Sequence, residues 1–161
     1  MSRRSAVALV VLAAAVATAI AVPLATLGGG EPRLSKHQYS QRVTAIYRAV
    51  GETFRRTGAG GSAAETSAGL RAMKAALDRA ADALAGLRPP GDGERDHRVL
   101  VESTRDYAAQ IDLLRASVDF GDPATIASHL REVTAPAAIR RALRGLAAKG
   151  YRIPVTVVSL S

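Results

Sequence analysis

The chain contains no cysteine and no tryptophan, and its aromatic residues are limited to four Tyr and two Phe. The missing cysteines exclude disulfide frameworks, thiol chemistry, Cys-based zinc sites and a lipid-modified N-terminal cysteine. The three histidines, His37, His97 and His129, fall on three different predicted helices. None has a second ligand at the i,i+3 or i,i+4 spacing of a helical metal site, so neither a metal nor a haem is expected. No G-x-S-x-G or S-x-x-K motif is present, and the chain is not expected to be an enzyme.

Two further patterns fail on context. Gly58-Ala59-Gly60-Gly61-Ser62-Ala63 fits the G-x-G-x-x-A variant of a dinucleotide fingerprint. A predicted helix precedes it where a strand is required, so it reads as an interhelical loop and no cofactor is expected. Asp92, Glu94 and Asp96 alternate like the opening of a calcium loop, but His97 stands where glycine is needed and Ser103 where glutamate is needed. An acidic helix start, favourable to the helix dipole, explains them better.

What is present begins with an apolar run. Arg3 and Arg4 precede residues 6–27, which carry no charge and meet the length of about 20 residues that a bilayer core requires. This stretch reads as a signal-anchor over residues 1–27, placing residues 6–27 in a membrane and the remainder outside by the positive-inside rule. Ala19-Ile20-Ala21 supplies an A-x-A site, so release after Ala21 as a secreted protein is the alternative. Gly28-Gly29-Gly30-Glu31-Pro32 then breaks the chain, making residues 28–34 a linker.

The whole chain of 161 residues is long enough for one domain, and its apolar fraction of 48% is rich in alanine, which predicts a thin core. Ser35 with Gln38 forms a capping box, and Tyr39, Val43, Ile46, Val50 and Phe54 follow at helical spacing to about Thr57. Tyr39, Tyr47 and Phe54 form a stripe that reads as core, with a ligand groove as the sharper reading. Ser62 with Glu65 opens a second helix carrying Leu70, Met73, Leu77, Leu84 and Leu87 before Pro89-Pro90. A third carries Leu100, Tyr107, Ile111, Leu114 and Val118 to Phe120-Gly121. Asp122-Pro123 opens a fourth with Ile126, Leu130, Val133, Ala137, Leu143 and Leu146, and Gly150 follows it as C′ residue. Pro136 predicts a kink there or a division into two pieces.

The fold class expected is all-α: an up-down-up-down four-helix bundle over residues 35–150, preceded by the N-terminal apolar helix. A short extended tail, residues 151–161, completes it, β-prone at Ile153-Pro154-Val155-Thr156 and either packed across the bundle or loose.

The charge balance is +8, with 22 Lys and Arg against 14 Asp and Glu. Residues 120–161 hold Arg131, Arg140, Arg141, Arg144, Lys149 and Arg152 against Asp122 and Glu132. Such a balance favours anionic partners. With so few aromatics no stacking platform for nucleic acid is expected. Anionic lipid or wall polymer is the partner that an exported basic face would meet, through Arg140, Arg141 and Arg144, whose spacing lets them share one helical face. A solvated basic face is the plain alternative.

Leu34-Ser35-Lys36-His37-Gln38-Tyr39 at the first helix start, Leu87-Arg88-Pro89-Pro90 after the second and Phe120-Gly121-Asp122-Pro123 between the third and fourth carry a resemblance. In these features the chain resembles a group of uncharacterised exported or lipoprotein-like helical bundle proteins of GC-rich bacteria. Members often carry a cysteine in the first helix and another near the C-terminus, near where Tyr47 and Tyr151 stand here. The resemblance implies an extracytoplasmic helical bundle and no assigned activity. The function expected is therefore an interaction or structural module anchored at the cell envelope. The alternative is a secreted protein holding a small apolar or anionic ligand.

Overall fold

The computed structural model describes residues 32–57 and 62–154. The expected signal-anchor (1–27), most of the linker, the Gly58–Gly61 loop and tail residues 155–161 lie outside the described residues. Within them the fold is all-α: α1 Lys36–Arg56, α2 Ala63–Ala85, α3 Glu94–Phe120, α4 Pro123–Glu132 and α5 Ala135–Ala148, with a 3-10 turn at Gly91–Gly93 before α3. No helix among the described residues is long and apolar enough to cross a membrane. Residues 31–161 form a compact unit of their own, and among the described residues its core begins at Leu34. Those are the conditions for autonomous folding.

The helix starts follow from local chemistry. At α1, Gln38 N–H donates to Ser35 Oγ (3.2 Å) and Ser35 N–H donates to Gln38 Oε1 (3.0 Å). Ser62 and Glu65 repeat the exchange at α2, at 3.2 and 3.0 Å. Each box satisfies two donors that a helix start leaves without partners. Ser35→Ala and Ser62→Ala are each expected to cost about 1 kcal/mol, read from urea unfolding midpoints. Asp122 caps α4 by accepting from the N–H groups of Ala124 and Thr125, with Pro123 in the first turn. Gly121 (φ 71°) and Gly150 (φ 86°) take the left-handed conformation that ends α3 and α5.

The expected fourth helix is two helices. The division falls at Val133-Thr134, and Pro136 sits in the first turn of α5, where its missing N–H costs nothing. Thr134 makes no side-chain cap; instead Gln110 of α3 accepts from Ala135 N–H at 3.2 Å. The break moves the buried stripe. Ala135, Ile139, Ala142, Leu143 and Leu146 are buried on α5, whereas Ala137 is exposed and Leu130 of α4 is 56% exposed, contrary to the expected core positions.

α3 lies centrally, packed against α2, α4 and α5, while α1 packs along α2. Tyr39, Tyr47 and Phe54 meet His97, Thr104 and Tyr107 in ascending order, so α1 runs parallel to α3. Lys149 meets Asp96 at one end and Ala135 meets Gln110 at the other, so α5 runs antiparallel to α3. The core continues past the last helix. Tyr151 (2% exposed) and Ile153 (5%) are buried in it, so the start of the expected tail packs against the helices.

Candidate functional site

Two groups of side chains carry the chemistry of this surface. The first is a polar cluster at the end where the described chain begins. Lys36, first residue of α1, places Nζ 2.6 Å from Asp92 Oδ2 and donates to the Lys149 carbonyl at 2.6 Å. The Tyr151 hydroxyl donates to Asp92 Oδ1 at 2.8 Å, and Lys36 Nζ lies 5.2 Å from the Tyr151 ring centroid. Lys149 Nζ pairs with Asp96 Oδ2 at 2.6 Å, and Arg33 pairs with Glu94 at 2.6 Å. Gly145 makes room for this, because a Cβ there would fall 2.7 Å from Asp96 Oδ1.

Asp92, Glu94 and Asp96 are thus each held by a different cation. Their role is to tie α1, α5 and the tail to the start of α3. Among the described residues no group of three His, Asp or Glu side chains converges as a metal site would require. Hydrogen bonds from Lys36 first and Tyr151 second hold the Asp92 carboxyl below its ordinary range. That pairing contributes stability above the ordinary carboxylate pKa and loses it as pH falls further.

The helix-one aromatics are core. Tyr39 is fully buried and Tyr47 is 2% exposed, and burial pushes both phenols up. Thr104 Oγ1 donates to the Leu100 carbonyl at 2.7 Å, so its single proton is committed and the Tyr47 hydroxyl, 2.7 Å away, is the donor of their pair. Phe54 is half-buried and packs against the Tyr107 ring.

The Tyr39 hydroxyl stands 2.9 Å from His97 Nδ1. Burial lowers the pKa of His97, which keeps the ring neutral while its Nδ1 shares a hydrogen bond with the Tyr39 hydroxyl. His97 in the unfolded chain protonates near the ordinary value of about 6.5, while the folded ring resists, so unfolding takes up a proton. The stability due to the neutral ring is therefore complete above that value and is lost as pH falls through it. The urea midpoint is expected to drop between pH 7.5 and 5, and His97→Gln, which keeps an acceptor but cannot titrate, is expected to flatten that slope. An unchanged slope in the variant would remove His97 as its source.

No protein-family model, curated protein or solved structure matches this chain. The site rests on its own geometry.

The second group is the α5 arginine face. Arg141 and Arg144 are exposed and Arg140 is half-buried. Arg140 acts on Tyr107: burial pushes that phenol up to about 12, and the guanidinium opposes the rise. At 100° per residue Arg144 falls between Arg140 and Arg141 around the helix, so the three occupy one sector. None has a carboxylate within ion-pair distance among the described residues. The remaining expected candidates lie apart: His37 is exposed, and His129 meets Ser117 Oγ through Nδ1 at 2.5 Å while Ser117 also bonds the Leu113 carbonyl. Sequence reasoning missed Tyr151 as the hub of the polar cluster. Its position after the C′ glycine was the available signal, because that residue commonly packs back on its helix.

Proposed function

We propose that this chain is an envelope interaction module: residues 6–27 anchor it in a membrane, and an up-down-up-down four-helix bundle stands outside. In that bundle α4 and α5 together take the fourth position. The role is binding and structural, and the contact is made by Arg140, Arg141 and Arg144 on an anionic surface of lipid headgroups or wall polymer. The observation that carries this reading is the arginine sector on α5, which has no carboxylate partner among the described residues, while the acidic groups at the start of α3 are already neutralised by Arg33, Lys36 and Lys149. α5 ends where α1 begins, as the bond from Lys36 to the Lys149 carbonyl requires. A bundle tethered through the short segment after Leu27 would thus hold Arg144 close to its attachment, where weak attraction acts at high effective concentration.

The test uses a fragment beginning at Glu31, which carries every core residue described. It is expected to sediment with vesicles containing anionic lipid at low salt and to leave them as ionic strength rises. Each arginine near such a surface contributes up to about 1 kcal/mol, so changing all three to glutamine should weaken binding on the order of tenfold to a hundredfold. Equal binding by the triple variant, or indifference to lipid charge, would leave the arginines as a solvated face. Intact mass of the native protein tests the anchor, since loss of residues 1–21 would mean a released binding protein.

A further inference from the structure

We propose that the trough between α1 and α2 binds the hydrocarbon chain of a single-chain anionic amphiphile, a long-chain carboxylate or alkyl phosphate, with its head at one of the two rim arginines, Arg56 or Arg79. This goes beyond the surface contact of α5 and holds whether or not residues 1–27 remain attached.

The trough follows from where α2 places its alanines. Leu70, Leu77 and Leu84, seven residues apart, form the large buried stripe of α2. The face turned to α1 carries Ala76, Ala80 and Ala83, too small to fill the space that a larger side chain would occupy. Opposite them α1 presents Ile46 and Val50, and about 370 Å³ remains open between the two helices. That volume lies within the range of small-molecule sites. Its length along α1, from Ile46 to Arg56, is about 15 Å at 1.5 Å per residue, which suits an extended medium-length alkyl chain.

The lining selects the ligand class. Val50, Ala76 and Ala80 are buried apolar floor, and Thr53, which also lines the trough, spends its hydroxyl proton on the Ala49 carbonyl at 3.1 Å. A polar ligand finds no free hydroxyl donor there, whereas a methylene chain removes apolar surface from water. The rim is charged. Arg56 and Arg79 are exposed and have no ion-pair partner among the described residues, while the nearby Asp78 is already held by Lys74 at 2.7 Å. Glu52 shares the rim, leaving the cations in excess. α1 and α2 run antiparallel, as Leu34 beside Arg88 and Thr57 beside Gly69 require, so Arg56 and Arg79 stand toward opposite ends of the trough. An anionic head gains from a guanidinium at either end and a cationic head is repelled there, so rim and floor together define an anionic amphiphile.

The experiment titrates the fragment beginning at Glu31 with dodecanoate and with dodecyl phosphate, each below its micelle concentration, by calorimetry and by methyl chemical shifts of the trough alanines. One molecule per chain is expected, with shifts at Ala76, Ala80 and Ala83, and no saturable binding of dodecyltrimethylammonium. Arg56→Gln with Arg79→Gln should weaken dodecanoate about fivefold to tenfold, and Glu52→Gln should strengthen it about twofold, as exposed charge contacts do. Ala83→Leu fills the trough from an exposed helical position and should abolish binding while leaving the melting temperature near that of the parent. The Arg140, Arg141 and Arg144 triple variant should bind dodecanoate normally, which separates this site from the vesicle contact. Equal binding of the cationic amphiphile, wild-type affinity in Ala83→Leu, or binding only to phospholipid vesicles would overturn the proposal.

Discussion

Leu77→Ala is expected to destabilise the helical unit by about 2 to 5 kcal/mol, with the upper half of that range favoured by its surroundings. Leu77 is 1% exposed on α2, and several residues in the same buried set are alanines: Ala76, Ala80, Ala81 and Ala108. Alanine has no side-chain torsion with which to move into a vacated space. The cavity left by Leu77 would therefore persist, and the penalty grows with residual cavity volume. Ile111→Ala on α3, at 5% exposure, should fall in the same range. The measurement is urea unfolding with the slope unchanged and only the midpoint shifted. A loss no greater than that of Ser35→Ala would mean that α2 does not bury this face.

Gly93→Ala is expected to destabilise by about 2 to 4 kcal/mol, through overpacking and the strain it places on a charged hydrogen bond. Gly93 is buried in the turn before α3 with ordinary negative φ (−96°), so its backbone does not require glycine. Space does. A Cβ there would overlap the Tyr151 hydroxyl and lie 3.0 Å from Tyr151 Cζ and 3.4 Å from Leu146 Cδ2. Tyr151 is a rigid buried ring that packs edge-on to Tyr39 at 5.4 Å between centroids and donates to Asp92, so displacing it disturbs the whole polar cluster.

Gly86→Ala provides the opposite case. Its φ is −75°, and a Cβ would meet nothing closer than the Ala83 carbonyl at 3.6 Å. With a compatible conformation and open space, that change should stabilise by about 0.4 to 1 kcal/mol by restricting the unfolded chain. Opposite signs for the two glycines, read from melting temperatures, would establish that the fit against Tyr151 governs position 93. A stabilised Gly93→Ala would mean that the tail does not pack on this turn.

The starts of α1, α2 and α4 and the end of α5 were legible in the sequence because the groups that satisfy them lie within a few residues. Ser35 reaches Gln38, Ser62 reaches Glu65, Asp122 reaches Thr125, and Gly150 closes on Ala147. Periodicity likewise identified Leu70, Leu77, Leu84, Leu100 and Ile111 as core, since on a regular helix phase alone decides which side chains share a face. Where the helix stopped being regular, that reasoning failed. Counting through Val133-Thr134 assigned Leu130 and Ala137 to the core, because the donor at the start of α5 is satisfied by Gln110, 25 residues earlier and on another helix.

The same distinction governs the sites. The sequence by itself determined that Arg140, Arg141 and Arg144 share a helical sector, that Asp92, Glu94 and Asp96 begin a helix, and that α2 is rich in alanine. Only the tertiary structure decided that the three carboxylates are taken by Arg33, Lys36 and Lys149, that Tyr151 closes the core, and that Ala76, Ala80 and Ala83 face α1 across open space. Local hydrogen bonds and helical phase are properties of neighbouring residues. Ion pairing, burial of a tail and the depth of a trough depend on which distant surfaces the folded chain brings together.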